Sequence, residues 1–513
     1  MAKFNTTKTK GPQVVNKAGG RAYVKDAEHE LVSRLLSWFV NGGYYESQGE
    51  GIIAIRNLVH SIKDKKFVAK AAIYARDEFH MRSVTHLLTC ELFHSGVSGK
   101  PWLRKFVYSV VHRVDDITEI LAYWMSLNQK ALPNALKEGL SDAFNKFNTY
   151  QLGKYQAKGS ALSLVDAVRL VHPSPTKANK EGLAQLIEGT LKADGTRQAQ
   201  LVAATKDLKT EDERRMARKG VLIEQVDTMC YMELLKNITS YFRDCPEKLP
   251  RVAERLVDEE AIKRAKLFPF RFFNASRSIQ ANFFQQKHSR VVLTALNTAL
   301  DIACDNVPKL ENTLVVVDVS GSMDCGLSVS AADERRHAKL GTRPLRCCEA
   351  AGLMGAILGK SVYADLMVFA SDAAYLPYNP GDSTMTIAEQ LGGTSGCDGH
   401  GTNFNAIFAR ASKGYDRIVI FSDMQGWMGD EFFCHSFRNN GAPTRSLASY
   451  KKEYKCDPFV YSVNLRENGG SMFNMGSQKV IPLAGHSEKL FDLMAMAEED
   501  REILLSKVNA VRL

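Results

Sequence analysis

Two different patterns of hydrophobic positions divide the chain near residue 310. In the front part, apolar side chains recur every three or four positions, as at Leu31, Leu35 and Trp38 and in the broad stripe of 102–111. This period predicts amphipathic helices. The breaks between helical patterns, such as 96–101, are short, so consecutive helices are expected to be antiparallel neighbours. About 300 residues of this kind predict a solenoid of helix pairs, as in HEAT-type repeats.

The back part contains continuous β-branched runs, with helical patterns between them. The four runs lie at 313–319, 364–370, 416–421 and 458–464. Short continuous apolar runs are typical of parallel strands that are buried on both faces. The alternation of strands and helices therefore predicts a doubly wound α/β sheet with helices on both faces.

The predicted fold is multidomain, α followed by α/β, in three parts. A flexible N-terminal tail at 1–15 precedes a helical repeat domain at 16–308 and an α/β domain at 309–513. The tail is polar and basic, which does not fit a secretory signal. No apolar run approaches the ~20 residues that a membrane span needs. Ten cysteines in 513 residues are too few for a disulfide scaffold, so a cytoplasmic protein with reduced thiols is predicted.

Charge is distributed unevenly between the two parts. Residues 1–310 hold 47 Lys and Arg against 33 Asp and Glu, a surplus of +14, whereas residues 311–513 carry −4. A basic front part is typical of a protein that binds a polyanion such as nucleic acid. Solubility alone can also produce such a surplus, so charge leaves both explanations open.

Oxygen-bearing side chains follow the ends of the predicted strands. The first strand runs into Asp318, Ser320 and Ser322, a later strand ends at Asp423, and Thr402 precedes a helix. In a doubly wound sheet, ligands bind beyond the carboxyl ends of the strands, so these five residues are expected to lie together. Hard oxygen donors of this kind suit a divalent cation, in particular Mg²⁺.

These motifs resemble the von Willebrand factor A fold and its metal-ion-dependent adhesion site (MIDAS). The resemblance rests on D-x-S-x-S from Asp318, then Gly401-Thr402, then Ser422-Asp423, in this order. It implies that the hydroxyl groups contact the cation directly and that the two carboxylates do so directly or through water. An A-type fold with an empty or vestigial site is the alternative. The long stretch 324–348 departs from the family pattern.

Short segments of the front part carry a second resemblance. The segments are 16–21, 31–45, 132–136, 150–155, 166–175, 232–237 and 269–271, and no single one is a sharp motif. Their order, together with the downstream α/β domain, is similar to the TROVE domain of the Ro autoantigen family, bacterial members included. The resemblance covers about 15–490.

The TROVE resemblance implies a ring of helical repeats closed by the A-type domain. It implies that the ring binds Y or Y-like small RNAs outside and single-stranded 3′ ends of misfolded RNA in a basic central cavity. RNA quality control, or the tethering of an exoribonuclease such as polynucleotide phosphorylase, would be its role. The resemblance assigns Lys154, Lys158 and His172 to the RNA surface, and two solvated lysines and a helix-ending histidine are the alternative. The two lysines would share a face if their segment is helical.

No catalytic residues are predicted, so the chain is interpreted as a non-enzymatic RNA-binding protein. A monomer is expected, because a ring built from one chain leaves no repeat edge to pair. The carboxylates at 115–116 are interpreted as surface residues, and 355–361 is one residue short of a P-loop. His86, Cys90 and His94 are interpreted as a packed helix face instead of a zinc site. Two rivals are a metal-dependent protein-interaction module and a subunit of an ATPase or chelatase assembly. Neither explains a basic helical front part.

Overall fold

The computed structural model describes most of the chain, in two compact units. The helical unit comprises 52–225 and 505–513, and the sheet unit comprises 1–51 and 226–504. The described residues are 13–15, 21–23, 27–37, 48–127, 131–155, 162–192, 204–206, 208–265, 267, 269–304, 308, 310–326, 345–393, 401–424, 445–465, 479–484, 489–498 and 503–513.

Helices account for most of the described residues up to position 303, as the 3.6-residue period predicts. Short 3₁₀ helices occur at Phe144–Lys146 and Pro246–Lys248. The helices are α1 (Ala27–Ser37), α2 (Gln48–Ser61), α3 (Lys65–Asp77), α4 (Ser83–His94), α5 (Trp102–Val110), α6 (Val114–Ser126), α7 (Asn134–Ala143), α8 (Thr149–Lys154), α9 (Leu164–Val171), α10 (Lys180–Glu188), α11 (Glu211–Gln225), α12 (Tyr231–Asp244), α13 (Leu249–Leu256), α14 (Glu259–Ala265), α15 (Pro269–Phe283) and α16 (Ser289–Ala303).

Capping side chains explain where several of these helices begin. Helix α3 begins after Asp64, whose carboxylate accepts hydrogen bonds from the backbone amides of Lys66 and Phe67 at 2.9 and 3.2 Å. Helix α9 begins with a capping box, in which Ser163 and Asp166 each accept from the other's backbone amide. These side chains pair backbone groups that the first helical turn leaves without a partner.

Helices α5 and α7 pack closely because α7 carries a glycine at their contact. A Cβ atom on Gly139 would lie 2.6 Å from the Cβ of Val107 and 2.7 Å from the carbonyl oxygen of Arg104. Packed side chains do not tolerate such distances, so only glycine allows this approach. Arg104 also forms ion pairs with Glu138 and Asp142 of α7.

The helical unit buries a carboxylate that the sequence analysis assigns to the surface. Asp116 in α6 is fully buried. Its carboxylate accepts hydrogen bonds from Arg76 at 2.7 Å and from Arg82 at 2.6 Å. The surface interpretation of Asp116 is therefore wrong, because a charged group can be buried where several donors replace water.

A six-stranded sheet lies in the centre of the sheet unit. Its strand order is β5-β4-β3-β6-β7-β8, and all neighbours are parallel except β4 and β5. Counted from β3, this is the 3-2-1-4-5-6 order of doubly wound folds. The strands are β3 (Thr313–Asp318), β4 (Asp365–Phe369), β5 (Ala373–Tyr375), β6 (Arg417–Ser422), β7 (Phe459–Asn464) and β8 (Val480–Ala484), after a separate antiparallel pair, β1 (Gln13–Val15) and β2 (Arg21–Tyr23).

Both faces of the central strand β3 are covered. Its Val315 and Val317 face helix α17, since a Cβ on Gly355 would lie 2.9 Å from Val317. Leu314 and Val316 belong to a buried cluster on the other face. The helices after β3 are α17 (Cys347–Val362), α18 (Thr384–Leu391), α19 (Phe404–Arg410), α20 (Leu447–Tyr454), α21 (Lys489–Ala497) and α22 (Ile503–Ala510). Most of α22 belongs to the helical unit.

Helices α15 and α16 pack against the helices of the sheet. Asp301 in α16 accepts hydrogen bonds from the backbone amide and the hydroxyl of Thr384, at 3.1 and 2.5 Å, where α18 begins. Arg277 in α15 forms an ion pair with Glu349 in α17 at 3.4 Å. The sheet unit thus includes helices that precede the predicted domain boundary at 308/309.

Several sequence-based expectations can be compared with these elements. The four predicted strands are confirmed as β3, β4, β6 and β7, whereas β5 and β8 were not predicted. Gln13–Val15, inside the predicted tail, forms strand β1. The segment 355–361 lies within α17, so it does not connect a strand to a helix as a P-loop does. Among the described helices, none is long and apolar enough to cross a membrane.

Candidate cation and nucleic-acid sites

Four of the predicted cation ligands follow two neighbouring strands. Asp318 is the last residue of β3, and Asp423 directly follows β6, which pairs with β3. Ser320 follows Asp318, and Ser322 lies in the 3₁₀ helix Gly321–Asp324. The strand order reverses between β3 and β6, and doubly wound folds bind their ligands at such a point.

The fifth predicted ligand, Thr402, is held near the end of β4. The backbone amide of Asn403 donates to the carbonyl oxygen of Ala370 at 2.8 Å, and the amide of Gly401 donates to the hydroxyl of Ser371 at 3.1 Å. Because β4 is the other parallel neighbour of β3, these bonds bring Thr402 to the same end of the sheet. The structure therefore places all five predicted ligands at the carboxyl ends of three adjacent strands.

A hydrogen-bond network orders the D-x-S-x-S turn. One carboxylate oxygen of Asp318 accepts from the backbone amide of Ser320 at 2.9 Å, and the other accepts from the hydroxyl of Ser422 at 2.5 Å. The hydroxyl oxygens of Ser320 and Ser322 lie 3.3 Å apart. Adjacent ligands of an octahedral Mg²⁺ with bonds of about 2.1 Å are separated by about 3.0 Å. The two serine oxygens are therefore close to the spacing that one cation requires.

Two carboxylates are buried at this end of the sheet. Asp318 and Asp423 are both fully buried. Burial and the charge of Asp423 raise the pKa of Asp318 to about 7, although hydrogen bonds from Ser320 and Ser422 oppose this shift. A bound divalent cation would favour the ionised form of both carboxylates, because an opposite charge offsets burial and mutual repulsion.

Two further polar residues lie at this site, to which the sequence analysis assigned no role. The hydroxyl of Ser422 donates to Asp318 and accepts from the backbone amide of Met424 at 2.9 Å, so Ser422 orients the carboxylate. Asn464 is buried at the end of β7, directly opposite Ser422 in the pairing of β6 and β7. The signal for both was present, since each is the last residue of a predicted strand or follows it directly.

The donor set suits a hard divalent cation. The five predicted ligands offer two carboxylates and three hydroxyls, and such all-oxygen sets favour Mg²⁺ or Ca²⁺ over Zn²⁺. Within the described part of the chain, no group of three or more His, Cys, Asp or Glu is arranged to hold a metal ion. The residues at the ends of β3, β4 and β6 are a candidate cation site because of their oxygen donors and their position at one end of the sheet.

Lys154, a predicted RNA-binding residue, is exposed at the end of α8. Its ammonium nitrogen lies 5.6 Å from the ring centre of Tyr155, and the guanidinium of Arg113 lies 4.9 Å from the same ring. Such cation–π contacts hold basic side chains beside an aromatic surface. The described helix ends at Lys154, and Lys158 lies outside the described residues, so a shared face for the two lysines stays a prediction.

His172, the third predicted RNA-binding residue, ends helix α9 in the left-handed conformation. Its φ is 52° and its ψ is 63°, values that residues other than glycine seldom adopt. The backbone is held by a hydrogen bond from its amide to Val168 at 2.9 Å and by one from the Ser141 hydroxyl to its carbonyl at 3.4 Å. The imidazole itself is exposed. His172 thus ends a helix and also presents its ring to solvent.

The connection after His172 lies against α8 and adds two lysines. The amide of Thr149, at the start of α8, donates to the carbonyl of Ala178 at 3.3 Å, and its hydroxyl accepts from the amide of Gly182 at 3.2 Å. A rise of 1.5 Å per residue places Lys154 about 8 Å further along α8. The two lysines are Lys177 and Lys180, which follow His172 closely in the chain but were missed by the sequence analysis. The basic surface consists of the exposed residues Lys154, His172, Lys177 and Lys180.

The side chains of His86, Cys90 and His94 in α4, considered above as possible zinc ligands, are packed within the helical unit. The Nδ1 atom of His86 lies 3.0 Å from a carboxylate oxygen of Glu119, and that of His94 lies 3.3 Å from one of Glu91. The thiol of Cys90 is buried and donates to a backbone carbonyl at 3.3 Å. Each side chain therefore has its own partner within the helical unit, in agreement with the interpretation as a packed helix face.

Comparison with models of known protein families shows to which family the chain belongs. The family model described as the TROVE domain matches residues 45–248 and 220–325, more than half of the 513 residues. The chain belongs to the TROVE domain family. The TROVE resemblance predicted from the sequence is thereby confirmed, and membership of this family favours an RNA-binding protein.

Two mammalian proteins share a short region with this TROVE protein. Telomerase protein component 1 of Mus musculus is 27% identical over 103 residues, which are 18% of this chain and 4% of that protein. The Rattus norvegicus protein of the same name is 25% identical over 101 residues, with the same coverage. The chain therefore matches a small part of these much longer relatives.

A solved structure shares the fold over almost the whole chain. The crystal structure of the Deinococcus radiodurans RO (RSR) protein matches with a TM-score of 0.59 and 17% sequence identity. The match covers 94% of this chain and 99% of that one. The predicted fold class, helical repeats followed by a doubly wound α/β domain, is therefore confirmed.

Proposed function

We propose that this TROVE protein binds Y-like small RNA on the basic surface, and also single-stranded 3′ ends of misfolded RNA, in RNA quality control. The observation that carries the proposal is the match of the TROVE model to residues 45–325, which lie mostly in the part of the chain with the +14 surplus. No catalytic step is part of the proposal. An exoribonuclease such as polynucleotide phosphorylase is the expected protein partner.

The basic surface supports contacts to phosphate. Lys154, Lys177 and Lys180 are exposed. Exposed ammonium groups can contact phosphate oxygens, with release of counterions from the RNA. The exposed ring of His172 can donate to a phosphate or stack on an unpaired base.

Sequencing of the RNA that copurifies with the protein is the first test. We expect one dominant structured small RNA, whose binding weakens steeply with salt. The triple variant Lys154→Glu/Lys177→Glu/Lys180→Glu should lower the slope of log affinity against log salt by about 2 to 3, since each lost phosphate contact removes about 0.7 to 0.9.

The control is Lys452→Glu, an exposed lysine in α20 of the sheet unit. Each Lys→Glu substitution changes the net charge by the same amount, but Lys452 lies outside the basic surface. Lys452→Glu should therefore leave the slope of log affinity against log salt unchanged. Heterogeneous RNA that is lost at modest salt from wild type and variants alike would contradict the proposal. RNase-resistant binding of an acidic protein would instead favour a protein-interaction module.

We also propose that Asp318, Ser320, Ser322, Thr402 and Asp423 hold a divalent cation, with Mg²⁺ as the candidate. The buried carboxylate pair and the 3.3 Å spacing of the two serine oxygens support this assignment. When bound, the cation would supply an open coordination position for a carboxylate of a protein partner.

Isothermal titration with Mg²⁺ tests the cation site. Asp423→Asn should abolish measurable binding, because it removes one of two charged ligands. Asp416→Asn is the matched control, since Asp416 is exposed beside the opposite end of the same strand. Equal loss in both variants, or no heat with the wild type, would contradict the assignment.

A further inference from the structure

A pair of cysteines lies beside the turn that carries Ser322. Cys325 follows the 3₁₀ helix Gly321–Asp324, and Cys347 is the first residue of α17. Their sulfur atoms are 3.8 Å apart. All eight described cysteines are thiols, so this pair is close together without being bonded.

The backbone holds the two cysteines at opposite positions of a short antiparallel pairing. Gly326 and Arg346 form a β-bridge, and the amide of Cys347 donates to the carbonyl of Cys325 at 3.0 Å. Directly opposite residues in an antiparallel pair have Cα atoms about 4.5–5.5 Å apart, which lies within the range of disulfides. A bond between the sulfurs therefore requires rotation of two side chains and no movement of the backbone.

The two sulfurs differ in access to solvent. Cys325 is half-buried, whereas Cys347 is fully buried. An oxidant therefore reaches Cys325 first, and Cys347 is placed to react with the product. The neighbouring Cys348 is also buried, and burial raises the pKa of its thiol to about 11, so it does not react with the peroxide itself. Cys347 is equally buried, and the 3.8 Å between its sulfur and that of Cys325 is what places it to react with the oxidised Cys325.

We propose that Cys325 and Cys347 form a reversible disulfide on exposure to a peroxide, and that this bond alters the cation site beside it. The Cys325 thiolate attacks one peroxide oxygen, which gives a sulfenic acid and releases water once the leaving hydroxide takes up a proton. The Cys347 thiol then attacks the sulfenic sulfur and gives its proton to the departing hydroxide, which leaves as the second water, and the S–S bond forms. Two electrons pass from the sulfurs to the peroxide.

The disulfide acts on the cation site through one hydrogen bond. The Cys325 thiol donates to the carbonyl oxygen of Ser322 at 2.8 Å. A disulfide carries no hydrogen, so oxidation removes this donor from the turn that presents the Ser322 hydroxyl. The Ser322 oxygen then loses part of its alignment with Ser320. This consequence rests on the proposed cation site, whereas formation of the disulfide does not.

Mass analysis of the full-length chain tests the disulfide. The reduced protein is treated with hydrogen peroxide, and the peptides are mapped without reduction. We expect loss of two thiols per chain and one cross-linked peptide pair that joins Cys325 to Cys347, both reversed by dithiothreitol. Cys347→Ser should stop at the sulfenic acid of Cys325, and Cys348→Ser should form the cross-link as wild type does. Cross-links to other cysteines only, or oxidation without a cross-link, would overturn the disulfide.

Mg²⁺ titration of the reduced and oxidised chain tests the coupling. Loss of one hydrogen bond corresponds to about a twofold to tenfold lower affinity in the oxidised form. Peroxide should leave the affinity of the double variant Cys325→Ser/Cys347→Ser unchanged, because neither position then carries a sulfur that can be oxidised. Equal affinity of both wild-type forms would overturn the coupling. Absence of Mg²⁺ binding in both forms would overturn the proposed cation site, and the mass analysis would still decide the disulfide.

Discussion

Replacing Asp116 by alanine measures how much the buried charge cluster contributes to the helical unit. The substitution removes the partner of Arg76, whose side chain is only 7% exposed, and one partner of Arg82. It also leaves the backbone amides of His112 and Arg113 without their acceptor at 2.9 Å. Removing one member of a buried pair costs about 3–5 kcal/mol, a large part of the roughly 5–15 kcal/mol by which a domain is stable.

Urea unfolding followed by tryptophan fluorescence is the assay, because Trp124 is buried in the same helix. Asp115→Ala is the matched control. Its carboxylate is 20% exposed and pairs with Arg82 and Arg113 near the surface, so a loss below about 1 kcal/mol is expected. The reasoning is refuted if Asp116→Ala costs less than about 1 kcal/mol, or if both variants lose the same amount.

The pH dependence of the same measurement gives a second criterion. Burial raises the pKa of Asp116, but hydrogen bonds and charges from His86, Arg76 and Arg82 outweigh it and hold the pKa well below the usual range. A lowered folded-state pKa means that the ionised carboxylate stabilises the fold above the unfolded pKa of about 3.9, and that this contribution is lost as the pH falls further. The difference between wild type and Asp116→Ala should therefore be constant near neutral pH and shrink below about pH 4.

Three further substitutions test packing, capping and the sheet end. Gly352→Ala would place a Cβ atom 2.6 Å from the carbonyl oxygen of Ala388, so urea unfolding should show a loss of about 1–3 kcal/mol, and no loss would contradict the packing. Ser163→Ala removes the cap of α9 and should cost about 1 kcal/mol in the same assay, with Ser163→Asp as the neutral replacement. Ser422→Ala removes a donor to Asp318, and Mg²⁺ titration should show at least about tenfold weaker binding; unchanged affinity would exclude an orienting role.

The sequence pattern predicted the features of the fold that follow from hydrophobic periodicity and from the common direction of parallel strands. The run at 313–319 predicts a strand buried on both faces, and all six residues of β3 are buried. The polar residues after strands could be assigned to one end of the sheet because parallel strands share a direction, and Thr402 and Asp423 lie there as expected. These predictions need only periodicity and the topology of parallel strands.

The sequence could not predict features that arise from distant contacts. Asp116 is surrounded by charged residues in the sequence, and only the packing of α3 and α4 brings Arg76 and Arg82 to it. The three residues of β5 are too few for a recognisable strand pattern, and pairing with β4 defines them. The Ser422 hydroxyl is likewise seen as a partner of Asp318 only when β6 lies beside β3.

The bonds of Asp301 and Arg277 bear on how this protein can be divided. Both residues precede position 309, and both pair with helices that cover the sheet. A fragment that starts at 309 would lose the acceptor at the start of α18 and one of the two arginine partners of Glu349. It would also uncover the surface on which α15 and α16 pack. The change from helices to strands along the chain is therefore a poor place to cut, because the compact unit that holds the sheet also includes residues 1–51 and 226–308. In this protein, the boundary at which the sequence pattern changes is therefore different from the boundary of the compact unit that holds the sheet.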